Sequence, residues 1–188
     1  MTGVSLMLAL VVPGALWVLT AWRGLVAARN AVDTTWSAID VRLRQRHDLV
    51  GPLVAAVAAE VGHDDPALER ATEARARAAA ATTPFERADA ERGVVAGIGA
   101  VALLAERHPD LGSTAAFVDL QARLAVIEDD IQAARRIYNA DVRLYRGRRA
   151  RFPKPLMRAL GTFEDRPYFE LDHTRERGAL GLPLAHPA

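Results

Sequence analysis

The sequence predicts an all-α protein: an N-terminal transmembrane helix followed by an elongated antiparallel bundle of three or four helices. Three observations carry that expectation. Residues 1–22 contain no Asp, Glu, Lys or Arg, and every charge in the chain lies from Arg23 onward. Two later segments repeat apolar residues at the steps of three and four that lay a stripe along one face of a helix. No segment carries the signal of a sheet strand. With 188 residues the chain has room for one domain of ordinary size. Its 24 basic and 23 acidic residues nearly cancel, so no global field draws it to nucleic acid. The basic set is one-sided, with Lys154 the single lysine, and there is no cysteine. A disulfide scaffold, a cysteine metal site and a cysteine nucleophile are therefore excluded.

The first element is the apolar stretch Val4–Trp22, 19 residues long. At about 1.5 Å per residue it reaches about 28 Å, close to the roughly 30 Å hydrocarbon core of a bilayer. Trp17 and Trp22 suit the membrane interface and Arg23 is the first charge after it. Pro13-Gly14 predicts a kink, which membrane helices tolerate. A cleaved signal peptide normally has a basic segment ahead of a shorter apolar stretch, although Val26-Ala27-Ala28 resembles a cleavage site. A buried core helix would need a large core around 22 uncharged residues. Arg23, Arg29, Arg42, Arg44 and Arg46 all follow the stretch, so the positive-inside rule predicts a cell-membrane, single-pass chain with its N-terminus outside and its bundle cytoplasmic.

The membrane helix is expected to continue into the bundle, since nothing between Trp22 and Ala28 demands a break. Leu25, Val32, Trp36, Ile39, Leu43, Val50, Leu53, Val57 and Val61 form its stripe. Gly51-Pro52 should bend it, because proline lacks the amide proton and crowds the preceding turn. Its end is expected near Gly62-His63. Asp64-Asp65-Pro66 then starts a second, Ala-rich helix over about 66–80. Thr83 and Glu86 stand at capping-box spacing and start a third, through Val94, Val95, Ile98, Val101 and Leu104. Gly93 and Gly97 could allow a close helix approach, but ordinary local packing is the expected reading. His108–Gly112 reads as a loop, and Ser113 or Thr114 as the cap of the last long helix. That helix repeats Phe117, Leu120, Leu124, Ile127, Ile131, Ala134, Tyr138, Asp141 and Tyr145. Val142 can replace the polar Asp141, and Phe152-Pro153 ends the helix. The domains are thus an anchor at 1–22, a bundle at 23–170 whose segment from Gly161 to Phe169 folds back, and a tail at 171–188 expected to be disordered.

The punctuation of the two stripes resembles the LemA family of bacterial membrane-anchored helical proteins. The first matching stretch is Ala28-Arg29-Asn30-Ala31-Val32, Trp36-Ser37-Ala38-Ile39-Asp40-Val41, Leu43 and Arg46-His47-Asp48-Leu49-Val50. The second runs from Glu106 and Pro109-Asp110-Leu111 through Phe117, Leu120-Gln121, Leu124, Glu128, Ile131, Ala134-Arg135, Tyr138-Asn139, Val142 and Tyr145 to Phe152-Pro153. Pro52 stands one residue later than the family's proline, Arg146 replaces the Asn expected after Tyr145, and the helix before Glu106 is unusually Gly-rich. The resemblance implies an external N-terminus, one spanning helix and a cytoplasmic antiparallel bundle. It implies no catalytic activity. It places the chain among proteins discussed with envelope stress, membrane metalloproteases and sensor kinases, hence as an accessory or scaffold.

Few residues suggest chemistry. Glu60, His63, Asp64, Asp65 and Glu69 have metal-ligand types, but they sit at a helix junction where acids cap the next helix. Glu128-Asp129-Asp130 reads as a solvated acidic face. There is no phosphate loop, no zinc-protease motif and no nucleophile elbow, so no enzyme, no catalytic residue, no metal and no cofactor is expected. Two features remain. Asn30, Asp40, Arg44 and Asp48 could form a polar interaction strip, although pairs of Arg44 with Asp40 and Asp48 at four-residue spacing would explain three of them. Arg143, Arg146, Arg148, Arg149 and Arg151 form a basic cluster suited to anionic lipid, at about 1 kcal/mol per residue near a membrane surface. Nucleic acid is not expected, because aromatic residues are sparse around the cluster. The expected partners are membrane lipid, a membrane protein and a second copy of the chain. The function expected is that of a scaffold, with a lipid-binding or membrane-remodelling structural protein as the alternative.

Overall fold

The computed structural model describes residues 2–153, 155–157, 161 and 163–169. The expected tail at 171–188 lies outside them. The protein is all-α, with no strand among the described residues. Its elements are α1 (Thr2–Val61), α2 (Pro66–Ala80), α3 (Pro84–Glu106), α4 (Pro109–Gly112) and α5 (Ala115–Arg151).

Helix α1 passes Pro13 and Pro52 without interruption and ends where Gly62 turns left-handed at φ 90°. That conformation suits a residue without Cβ. Asp65 caps α2, its carboxylate accepting the Ala67 amide at 2.7 Å. A capping box opens α3: Thr83 Oγ1 accepts the Glu86 amide, and Glu86 accepts those of Thr82 and Thr83. Those amide bonds hold the Glu86 carboxyl below its ordinary range. The expected loop at 108–112 instead forms the single turn α4. His108 O accepts the amides of Leu111 and Gly112, and Leu111 is buried. Pro109 at the first helical position, with its fixed φ, favours that turn. Thr114 caps α5 by accepting the Phe117 amide.

The described residues divide into two compact units, one drawn from 2–37 and 136–168, the other from 38–135 with Phe169. In the first, α1 and α5 run antiparallel: Trp22 packs on Phe152, and Trp36 packs on Tyr138. Leu25, Ala28, Val32, Val142 and Tyr145 are buried there. The segment after α5 folds back as expected, with Phe163 buried edge-on against Trp22 at 5.0 Å. Tyr138 donates to Pro167 O at 2.9 Å and Tyr145 to Glu164 O at 2.7 Å. Burial raises both phenol pKa values.

In the second unit one apolar core joins residues of all five helices. Leu49, Val50 and Leu53 of α1 meet Leu68 of α2, Ile98 and Val101 of α3, Leu111 of α4, and Phe117 and Leu124 of α5. Between α2 and α3 small residues accompany Leu68 and Ile98, with Ala71, Ala74 and Ala78 buried on α2. A Cβ added at Gly97 would stand 2.8 Å from the Ala71 Cα, inside any real contact distance. Gly97 therefore does serve a close helix approach, contrary to the ordinary packing expected from sequence.

Candidate functional site

The apolar stripe of α1 has a seven-residue gap between Leu43 and Val50. The structure fills it with Arg46 and His47, both buried. Glu91 of α3 and Glu128 of α5 meet them, each fully buried. Arg46 Nη2 donates to Glu91 Oε2 at 2.5 Å, and Nη1 to Glu128 Oε2 at 2.8 Å. His47 Nε2 lies 2.8 Å from Glu91 Oε1, and Gln132 donates to Glu128 Oε1 at 2.9 Å. Three helices of the second unit are thus tied at one layer by charge.

Burial works to raise the Glu91 pKa, but the His47 hydrogen bond and the Arg46 charge outweigh it and hold the carboxyl below its ordinary range. For Arg46 burial works to lower the pKa, and the two carboxylates outweigh it, leaving it raised. Arg46 Nε has no hydrogen-bond partner among the described residues. Full burial closes the cluster to a substrate, and its geometry is that of a structural ion network.

Glu128, expected on a solvated acidic face, is instead fully buried. On α5 Phe117, Leu120, Leu124, Ile131, Tyr138 and Tyr145 are buried as expected, but the positions between the last four fall one residue later: Glu128, Arg135 and Val142 are buried, while Ile127, Ala134 and Asp141 are only half-buried.

The residues of the expected polar strip are not equivalent. Asn30, in the first unit, is exposed. In the second unit Asp40 pairs with Arg44 and with Arg87 of α3, the latter at 3.0 Å. Asp48 is exposed and forms no ion pair among the described residues, so the expected Arg44–Asp48 pair is not made. Asp48 lines an open groove of about 480 Å³ with Arg42, Gln45, Arg123, Val126 and Asp130.

The five arginines near the end of α5 also divide. Arg146 pairs with Asp165 at 2.9 Å and lies over the Tyr168 ring. Arg149 donates to Phe163 O at 2.8 Å, and Arg148 to Gly24 O at 2.5 Å. Arg143 and Arg151 are exposed and make no ion pair among the described residues. At the junction of α1 and α2, Asp65 is the helix cap, and no group of three metal-ligating side chains gathers among the described residues.

Near the start of α1, Met7, Val11, Val12, Leu16, Trp17 and Leu19 are exposed. Part of this helix is long and apolar enough to cross a membrane, and little of that stretch is buried.

No curated protein matches the chain. The model of the LemA family matches residues 35–180, more than half of the sequence, a range that includes Arg46, His47, Glu91 and Glu128 of the ion network. The chain belongs to the LemA family.

Proposed function

We propose that the protein is a membrane-anchored, non-enzymatic interaction module, with α1 serving both as anchor and as a seam of the helical domain. The observation that carries this reading is the exposed apolar start of α1, continuous with the buried stripe that begins at Leu25. A row of uncovered large apolar side chains is costly in water and stable in lipid. The arginines that follow favour a cytoplasmic domain and an external N-terminus. Its partner would be a membrane protein or a second copy, met through exposed positions such as Arg44 and Asp48.

Extraction tests the anchor. The full chain should stay with membranes through high salt and alkaline washing. Replacing Val12 and Leu16 with Arg, at about 2.5–3.5 kcal/mol each near the centre of a spanning helix, should release it. Release of the unaltered chain by alkali would contradict the reading. A photocrosslinker at Asp48 should give a discrete adduct with a membrane protein or a second copy.

A further inference from the structure

A groove of about 390 Å³ in the first unit is lined by Trp17, Thr20, Ala21, Arg148, Arg151 and Phe152. Among the described residues no carboxylate lines it. Arg148 is held in place by its bond to Gly24 O, and Arg151 is exposed without an ion-pair partner among the described residues. Val12 and Leu16, which precede Trp17 on α1, are exposed apolar residues.

We propose that this groove binds the phosphate headgroup of an anionic membrane phospholipid. The inference rests on the anchor reading. Two guanidiniums offer charge-assisted hydrogen bonds to phosphate oxygens. Trp17 suits the headgroup level, and the apolar face of α1 continues toward where the acyl chains would lie. Two positive charges against one phosphate favour a lipid with net negative charge over a zwitterionic one. The adjoining apolar face points to a lipid rather than to free phosphate.

The test is lipid binding to the full chain in detergent, read by native mass spectrometry with phosphatidylglycerol and phosphatidylcholine. Phosphatidylglycerol should bind more tightly. Arg151→Gln should cut that preference roughly fivefold, as expected for loss of one basic residue near a lipid surface, whereas Arg143→Gln, outside the groove, should leave it unchanged. Inorganic phosphate should not displace the lipid; displacement would reassign the groove to free phosphate. Equal binding of the two lipids, or an equal loss from Arg143→Gln and Arg151→Gln, would overturn the site. A chain that resists alkaline extraction but shows no preference defeats the groove alone; a chain released by alkali defeats the anchor and the groove with it.

Discussion

In the first unit α1 meets α5 through rings and backbone carbonyls, with Trp22 on Phe152 and Trp36 on Tyr138, and tyrosine hydroxyls holding the returning segment. In the second it meets α3 and α5 through buried charge, Arg46 standing between Glu91 and Glu128. Ring packing and neutral hydrogen bonds add stability in modest increments. A buried ion network adds little net stability but penalises any arrangement that separates its members. The same pair of helices thus meets through rings in one unit, and in the other adds to its apolar core a buried ion network that selects the arrangement.

The largest expected effect breaks the network. Arg46→Met leaves two buried carboxylates without their cation and should cost about 3–5 kcal/mol, read as a lowered melting temperature of the full chain in detergent. Replacing Arg46, Glu91 and Glu128 together with Met, Leu and Leu should cost less than the single substitution, because no buried carboxylate is left without its cation, although His47 loses Glu91 and Gln132 loses Glu128 as hydrogen-bond partners. Acid acts in the same direction as the single substitution. The Glu91 pKa is lowered in the folded state, so its contribution is present above the unfolded carboxylate value and is lost as pH falls through the folded one. Melting temperature should fall on acidification, and less so in the apolar triple variant.

Gly97→Ala tests the close approach of α2 and α3. Overpacking against Ala71 should cost about 1–3 kcal/mol, against a helix-propensity gain of up to about 1 kcal/mol; a raised melting temperature would show that the two helices can separate freely. The smallest effect belongs to the first unit: Tyr145→Phe removes one hydrogen bond to Glu164 O and should cost about 1 kcal/mol, with faster proteolysis of the returning segment.

Helix boundaries were legible because caps are local: Asp65-Pro66, Thr83 with Glu86, and Thr114 each act within a few residues. The stripe of α1 was legible wherever it was apolar. The ion network was not, because each of its members is a polar residue that looks solvated until three helices are brought together. The available signal was the gap at Arg46-His47: the stripe has an equal gap between Leu25 and Val32, but that one holds the apolar Ala28 where this one holds charge. On α5, the apolar Ile127 masked the burial of Glu128 one position on. The division of the arginine cluster was hidden for a similar reason, since the carbonyls of Gly24 and Phe163 that engage Arg148 and Arg149 leave no trace in side-chain pattern.

Thiol accessibility tests the anchor and its orientation most directly, since the chain has no cysteine of its own. Single cysteines at Ser5 and Asp64 would be probed in intact cells with a membrane-impermeant reagent. An external N-terminus with a cytoplasmic bundle predicts labelling at position 5 and none at position 64 until the cells are opened. Labelling at position 64 in intact cells would contradict that orientation.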